Sequence, residues 1–269
     1  MDGTLFTSSM EITDRTKQAI KEAEKLGVKV VIASGRQYNF ARSSGDFISG
    51  ETAIISANGG CVIENHSNRI LYKGIIAEDA AIKTQELLSN YDVNYAFFLE
   101  DAIITGKDSF FSTFYNKHNE EVAEELKIKV VAVEDAATWK QVILENSDSI
   151  IKCIVVQHDG RHIPELKEKL KMVEGLEVHN SLPISLEVNG AGVTKGKGVE
   201  MVAKHYNVKK EEIICIGDGE NDISMLEHAG LGVAMGNAPE NVKAVADYIT
   251  DTNDNEGVAK VIEKFILGL

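Results

Sequence analysis

The chain has 269 residues, of which 43% are hydrophobic, and its 42 acidic and 28 basic side chains give a formal net charge of -14. A chain of this length can bury a large core, and we expect two domains. The excess of negative charge argues against binding to nucleic acid or to an anionic membrane, and no apolar run is long enough to cross a bilayer. Cys61, Cys153 and Cys215 follow no metal-site or disulfide spacing, so we expect free thiols in a cytoplasmic protein.

The first part of the chain alternates helical and strand-like patterns. Thr13 is a candidate N-cap for the first helix, and Gly27 follows its expected end. The predicted elements are a helix over residues 13–26, a strand over 28–34, a helix over 38–48 and a strand over 52–57. Helices and buried strands that alternate at this spacing are typical of βαβ units in a parallel sheet.

The same alternation returns in the last part of the chain. There EEIICIG and LGVAM are strand-like, whereas VEMVAKHY, ISMLEHA and GVAKVIEKFI are helical. The last of these helices would bury one apolar face, formed by Val258, Val261, Ile262 and Phe265.

The pattern between these two parts is different. Strand-like runs such as VNYAFFL and SIIKCIVVQ alternate there with charged helical runs such as IPELKEKLKMV. We therefore predict an α/β fold: residues 1–75 and 186–269 form a Rossmann-like core with a parallel sheet, and residues 76–185 form an inserted α+β cap domain. Residues 74–77 and 182–186 are the candidate hinges between the two.

The densest polar motif is GDGENDISML, residues 217–226. It follows a strand-like run, and Asp218, Asn221 and Asp222 could converge on one divalent cation at the carboxyl end of a sheet. The alternative is a solvated acidic turn that only caps the following helix. Its glycines approach a dinucleotide fingerprint, but two carboxylates would face the pyrophosphate, so a nicotinamide enzyme is a poor second.

Two further motifs carry groups that suit an anion. In ASGR, the Ser34 hydroxyl and the N–H groups at a strand-to-helix turn could bind phosphate oxygens, although small polar turns are common at such places. In GVTKGK, Lys195 could supply a point charge, or it could be a surface lysine just after the candidate N-cap Thr194. The same stretch imitates a P-loop, but its first glycine is one residue too close and no Ser or Thr follows Lys197.

The turns ANGG and MDGT are weaker signals. Asn58 lies in ANGG, which is most often a type I′ hairpin turn and less often the lining of a site. Asp2 opens an ordinary-looking polar turn at the start of the chain. All these motifs lie at or next to the carboxyl end of a strand, however, and an open sheet would bring them to one crevice. Metal-binding acids, a hydroxyl and a lysine in one crevice suit phosphoryl transfer.

These four motifs together resemble the haloacid dehalogenase (HAD) superfamily, and in particular its Cof-type phosphatases of subfamily IIB. MDGTL is similar to the family's D-x-D-G-T-L, IASGR to its strand-ending Ser/Thr motif, VTKGKG to its lysine motif and IGDGENDISML to its acidic motif. The resemblance spans both core segments in the right order. It implies a Mg²⁺-dependent phosphatase that hydrolyses small organic phosphate monoesters, such as sugar phosphates, through an aspartyl-phosphate.

The resemblance also implies residue roles. Asp2 would be the general acid and base, and its main-chain carbonyl would bind Mg²⁺ together with Asp218. Lys195 and Ser34, with neighbouring N–H groups, would hold the phosphoryl oxygens. Asp222 would complete or orient the metal and lysine shell. The remaining phosphate-binding candidates are Gly35, Arg36, Asn58 and Asn221.

The chain departs from the family pattern at its start. Met1 occupies the x of D-x-D-G-T-L, so the nucleophilic Asp would lie one residue before it, and the family's first strand would also lie upstream. We expect the 269-residue chain to be inactive as a phosphatase and a longer natural chain to carry the nucleophile. The alternative is a HAD-like protein that binds a phosphorylated ligand without chemistry. A phosphomutase needs the same nucleophile. In either case the expected partner is a small phosphorylated metabolite, and the protein is a monomer or homodimer.

Overall fold

A computed structural model describes residues 1–44, 48, 52–65 and 67–269 of the chain. Within these residues, no helix is both long and apolar enough to span a bilayer. The fold is α/β, and parallel strand pairs occur in each of its three sheets.

The first flanking segment, residues 1–75, forms a four-stranded sheet with order β1-β2-β3-β4. Strand β1 is parallel to β2, and the other neighbours are antiparallel. The elements are α1 Asp14–Lys25, β1 Ile32–Ala33, α2 Tyr38–Ser44, β2 Ala53–Ser56, β3 Cys61–Glu64 and β4 Arg69–Lys73. Helix α1 begins as predicted, because the Thr13 side chain accepts the N–H of Thr16 as an N-cap.

The predicted strand over residues 28–34 is shorter in the structure than in the sequence pattern. Only Ile32 and Ala33 pair with a neighbour, which is β2 on one side. Val28 and Val30 are still partly buried against the core, so their apolar character reflects packing without strand pairing. The second predicted helix is confirmed from Tyr38 to Ser44, and its expected end near Ile48 lies outside the continuously described residues.

The last flanking segment, residues 191–269, forms a three-stranded parallel sheet with order β11-β12-β13. Its elements are α7 Lys195–Tyr206, β11 Ile214–Gly217, α8 Ile223–His228, β12 Leu231–Ala234, α9 Glu240–Lys243, β13 Tyr248–Ile249 and α10 Gly257–Ile262. Three of the four apolar residues expected on the inner face of the last helix are buried. Phe265 is the exception at 40% exposure, because the chain leaves α-helical geometry at Glu263.

The middle region, residues 76–190, contains a six-stranded sheet with order β7-β6-β5-β8-β10-β9. Its neighbours are antiparallel except for β6 and β7. The elements are α3 Glu78–Leu88, β5 Asn94–Phe98, β6 Ala102–Gly106, α4 Phe110–Glu121, β7 Lys129–Val133, α5 Trp139–Glu145, β8 Lys152–Val156, α6 Ile163–Lys171, β9 Leu176–Leu182 and β10 Ser185–Gly190.

The far boundary of the middle region differs from the sequence-based expectation. A boundary between residues 185 and 186 would cut through β10, which pairs with both β8 and β9 in the six-stranded sheet. The candidate hinge at residues 182–186 is the β9–β10 turn inside this sheet, so it does not connect the regions. The chain returns from the middle region to the flanking segments after Gly190. This point lies beside the point where the chain enters the middle region, since a Cβ atom on Gly190 would lie 2.2 Å from the Ile75 oxygen.

Three buried apolar clusters hold these elements together. One lies within the middle region, one lies within the flanking segments, and the third includes residues of both, such as Ile54 and Phe98. Cys61, Cys153 and Cys215 are free and buried, as the sequence predicts.

Candidate active site

The predicted site residues gather at the carboxyl ends of β1 and β11. Ser34 directly follows β1, and Asp218 directly follows β11. The opening turn joins this edge, because Thr4 Oγ1 donates a hydrogen bond to Asp218 Oδ1 at 2.5 Å. The topology of parallel strands therefore brings together motifs that lie more than 180 residues apart in the sequence.

Gly3 fixes the distance between the opening turn and Asp218. Its φ is +69°, and a Cβ atom there would lie 2.2 Å from Asp218 Oδ2, so only glycine fits. The Gly3 carbonyl accepts the side-chain amide of Asn237 at 2.8 Å. Burial raises the pKa of Asp218, and the nearby Asp222 carboxylate adds to the rise.

Lys195 and Asp222 form a buried ion pair below Asp218. The Lys195 Nζ lies 2.5 Å from Asp222 Oδ1, and the two side chains are 5% and 6% exposed. The other carboxylate oxygen of Asp222 accepts the N–H groups of Asp218 and Gly219, each at 2.9 Å. Burial alone would raise the pKa of Asp222, but the Lys195 ammonium holds it below its ordinary value. Lys195 is therefore not the ordinary surface lysine that its sequence context allowed.

The ASGR turn is held by the ANGG hairpin. Ser34 N–H donates to the Ile55 carbonyl at 2.8 Å, and the Ser34 carbonyl accepts the N–H of Asn58 at 3.0 Å. The Ser34 hydroxyl is buried and accepts the N–H of Arg36 at 3.1 Å, which closes the turn.

ANGG does join two antiparallel strands, as a hairpin turn would, but its loop has four residues, 57–60, between β2 and β3. Asn58 adopts the left-handed conformation with φ of 58° and is buried. Gly59 packs against the start of α7, where a Cβ atom would lie 2.0 Å from the Thr194 oxygen. The hairpin thus brings Asn58 towards Lys195, and Asn221 donates to Asn58 Oδ1 at 3.1 Å.

Asp2 is paired with Arg36. The guanidinium Nη2 lies 2.5 Å from Asp2 Oδ1, and Nε lies 3.1 Å from Oδ2. Arg36 also stacks over the rings of Phe6 and Phe40, at 5.4 and 4.7 Å from their centroids. Partial burial would raise the pKa of Asp2, but the hydrogen bonds from Arg36 lower it below its ordinary value.

The three acids expected to bind metal are therefore not equivalent. The Asp2 side chain faces Arg36, and both oxygens of Asp222 are already bonded. Among the residues that the structure describes, the Thr4 hydroxyl alone donates a hydrogen bond to the Asp218 carboxylate. No group of three His, Cys, Asp or Glu side chains in the described part of the chain has the geometry of a metal site. Asp218 is a partly buried carboxylate with a raised pKa, and no basic side chain of the described residues forms an ion pair with it, so it is the group that a cation would fit.

Two residues of the middle region reach this site and were not expected there. Lys152 on β8 donates to the Gly35 carbonyl at 2.7 Å, and Glu187 on β10 accepts a short hydrogen bond from Asn58. Both lie in strand patterns that are otherwise apolar, so their charge is the one feature of the sequence that could have marked them as site residues. A charged residue in an otherwise buried strand has to find a partner, and here the partners include the predicted site.

A cleft of about 220 Å³ adjoins Lys195, Asn58 and Asn221. It lies between the flanking segments and β9, which contributes His179. The other lining residues are Val193, Thr194, Glu220, Ile223, Ser224 and Glu227.

A sequence profile of the haloacid dehalogenase-like hydrolases matches residues 1–262. The chain belongs to this family. It is 32% identical over 269 residues to the 5-amino-6-(5-phospho-D-ribitylamino)uracil phosphatase YcsE of Bacillus subtilis, with 99% of this chain and 94% of the relative covered. It is also similar to the phosphatase YwpJ of the same organism, at 29% identity with 99% and 98% covered.

Solved structures of the family have the same fold. The HAD subclass IIB sugar phosphatase BT4131 superposes with a TM-score of 0.78 at 27% identity, covering 98% of this chain and 96% of the other. A haloacid dehalogenase-like hydrolase from Bacteroides thetaiotaomicron also gives 0.78, at 30% identity, with 98% and 97% covered. Because the matches cover nearly the whole chain, they include the middle region as well as the flanking segments.

Proposed function

We propose that this protein is a cytoplasmic Mg²⁺-dependent phosphatase that acts on small organic phosphate monoesters. The observation that carries the proposal is the buried Lys195, whose ammonium is held by Asp222 beside Asn58, Asn221 and the ASGR turn. A desolvated cation surrounded by hydrogen-bond donors suits an anionic group that gains charge in a transition state.

Each residue would have a distinct task. Ser34, the Gly35 N–H, Asn58, Asn221 and Lys195 would bind the phosphoryl oxygens. Charge on these oxygens would be neutralised mainly by Lys195, which Asp222 orients.

Asp2 would protonate the leaving alcohol and then accept a proton from water. In the described arrangement Arg36 holds Asp2 in its ionised form, so the proton transfer requires Arg36 to move or to bind the substrate instead. Arg36 is close enough to the site to contribute a second cation to the phosphate.

Asp218 would bind Mg²⁺ together with the main-chain carbonyl of Asp2, while Asp222 would act indirectly through Lys195 and the N–H groups of the acidic turn. When bound, the ion would supply positive charge to the phosphoryl group. The fit of Asp218 to a cation supports this assignment.

The polar side chains that line the cleft support a small, hydroxylated leaving group, such as that of a sugar phosphate. His179, Glu220, Thr194 and Ser224 offer hydrogen-bond donors and acceptors along it. One similar protein is named for a phosphoribityl substrate and another as a sugar phosphatase, and ribityl groups and sugars both carry several hydroxyl groups. We propose that the protein works on such metabolites as a monomer or homodimer.

The resemblance places the nucleophilic Asp of the family at the position immediately before Met1. We therefore propose that a polypeptide beginning at Met1 binds phosphate but does not hydrolyse phosphomonoesters. The second candidate is a ligand-binding protein without chemistry, and the buried Lys195 beside Asn58 and Asn221 would suit a phosphorylated ligand in that case too.

Phosphate binding tests the proposal directly. Calorimetric titration of the 269-residue chain with inorganic phosphate and Mg²⁺ should give saturable binding. Lys195→Met should weaken it about tenfold or more, since a direct charge contact is lost. The matched control is Lys197→Met on the same helix, whose ammonium pairs with Glu200 on the surface. Equal affinities for the two variants, with both folded, would contradict the proposed site.

A further inference from the structure

Lys152 and Glu187 form a buried ion pair at the seam between the middle region and the candidate site. Their side chains are 1% and 8% exposed, and Lys152 Nζ lies 2.9 Å from Glu187 Oε1. The residues lie on the neighbouring strands β8 and β10, so the six-stranded sheet fixes the distance between them.

Both members of the pair also contact residues assigned to phosphate binding. Lys152 donates to the Gly35 carbonyl at 2.7 Å. Glu187 Oε2 accepts the side-chain amide of Asn58 in a short hydrogen bond, and the Asn221 amide lies 3.5 Å from the same oxygen. Because Asn221 also donates to Asn58 Oδ1 at 3.1 Å, the two amides and Glu187 form one network.

This network determines how the two amides are oriented. The Asn58 nitrogen points to Glu187, so its oxygen is turned towards Asn221 and accepts from it. Asn221 divides its two amide donors between Asn58 Oδ1 at 3.1 Å and Glu187 Oε2 at 3.5 Å, so the donor in the longer of these two hydrogen bonds is the one that a phosphate oxygen could share. Asn189 Oδ1 is a second and more distant acceptor for the Asn58 nitrogen, at 3.4 Å, so Glu187 is the nearer and charged one of the two acceptors that hold the Asn58 amide in this orientation.

The pair is poorly explained as a source of stability. Buried ion pairs lose much of their attraction to the cost of desolvating both charges, and apolar replacements are often no less stable. Burial alone would raise the pKa of Glu187, yet Lys152 and Asn58 hold it below its ordinary value, so the acceptor is kept as a carboxylate. A role in orienting the side-chain amides of Asn58 and Asn221 would explain why a charged acceptor faces them.

We propose that Glu187, with Lys152 as its counter-ion, is a positioning residue that orients Asn58 and Asn221 for phosphate binding. The inference rests on the proposed function, since it assumes that these amides meet a phosphoryl group. It makes phosphate binding depend on the middle region, because both members of the pair come from that region's sheet.

Two double variants separate this role from a structural one. Lys152→Met with Glu187→Gln removes both charges but keeps a side-chain acceptor for Asn58. Lys152→Met with Glu187→Met removes both charges and the acceptor, at similar side-chain volume. Neither variant leaves a buried charge unpaired, and Gly35 loses its lysine donor equally in both.

Phosphate affinity is the first readout. With inorganic phosphate and Mg²⁺, we expect the Gln double variant to bind within about threefold of the parent, and the Met double variant to bind about tenfold more weakly than the Gln variant. Equal affinities of the two folded double variants would overturn the proposal.

The side-chain amide resonances of Asn58 and Asn221 are the second readout, and they need no ligand. We expect both to be similar in the parent and the Gln variant, and to shift and exchange faster with solvent in the Met variant. If the resonances are the same in both double variants, the proposal fails whether or not phosphate binds. If the parent binds no phosphate while the resonances respond as expected, the proposed function fails and the orientation of the amides by Glu187 stands.

Discussion

The middle region and the flanking segments build their sheets differently. In the middle region, β8 pairs on both sides, with β5 and β10, and belongs to one sheet of six strands. In the flanking segments, β1 and β11 belong to separate sheets of four and three strands, and each pairs on one side only among the strands that the structure describes. The candidate site lies at the ends of β1 and β11. The residues proposed to act on phosphate are therefore held by the strands that have fewer hydrogen-bonded neighbours.

The opening turn lies close to both one-sided strands. Met1 and Leu5 pack in the same apolar cluster as Val30 and Ile216, which precede the ASGR and acidic motifs. We therefore expect the flanking segments to accept a further strand beside β1 or β11, whereas the central strands of the middle region's sheet have neighbours on both sides.

The largest expected effect is that of adding such a strand. A variant extended before Met1 by about six apolar residues ending in Asp should gain roughly 5 kcal/mol or more in unfolding free energy, because each buried large side chain contributes about 1.5 to 3 kcal/mol. It should also release phosphate from sugar phosphates with Mg²⁺, whereas the 269-residue chain should not. Urea unfolding and a phosphate-release assay measure the two effects.

An extension ending in Asn is the control for that experiment. It should be stabilised to the same extent but should remain inactive, since an amide cannot act as the nucleophile. Equal turnover by the unextended and extended chains would contradict the assignment of the nucleophile.

Amide hydrogen exchange should show the difference in pairing directly. Ser34 N–H donates to Ile55 at the end of β1, and Ile151 N–H donates to Phe98 next to β8, at 2.8 and 2.9 Å. Although these bonds are alike, we expect Ser34 to exchange about a hundredfold faster, because local opening is easier in a strand held on one side. Similar protection of the two amides would show that the one-sided pairing has no energetic cost.

Gly3→Ala tests how tightly the opening turn is packed against the site. The matched control is Gly192→Ala, since Gly192 has a φ of +73° and no atom within 4 Å of an added Cβ. Both variants pay about 1 to 2 kcal/mol for a left-handed alanine. Gly3→Ala should cost about 1 to 3 kcal/mol more, because its Cβ collides with Asp218. Thermal unfolding gives the difference, and equal losses would mean that the turn can move away.

The smallest effect expected is a pH dependence from Asp222. Its pKa in the folded protein is lowered, so the stability it contributes is present above the ordinary value of 3.8 and is lost as the pH falls below it. The stability advantage of the parent over Asp222→Asn should therefore shrink by about 1 kcal/mol between pH 5 and pH 3. Urea unfolding at several pH values measures this, and an advantage that grows on acidification would contradict the lowered pKa.

Much of the site could be predicted from the sequence because its motifs are local. Ser34, Asp218 and Asn221 each follow a recognisable apolar run, and the parallel order of the strands dictates a common edge. Helix α1 was predictable for the same reason, since Thr13 and Gly27 mark its ends within a few residues.

Features that depend on distant partners could not be predicted. The strand before Ser34 was overestimated because apolar residues at 28 and 30 pack without pairing. The role of Lys152 depends on Gly35 and Glu187, which are remote in sequence. The predicted boundary between residues 185 and 186 differs from the observed one, because β10 belongs to the six-stranded sheet through its hydrogen bonds, which the composition of the chain does not reveal.

The close approach of Gly190 to Ile75 has a consequence for protein engineering. Since the chain enters and leaves the middle region at one place, the two flanking segments could be joined there by a short linker, and the excised region would have its own ends side by side. The middle region is therefore a natural unit for exchange between related proteins. An exchanged unit would have to bring a counterpart of Lys152 and Glu187 that matches the Gly35 and Asn58 of its new host.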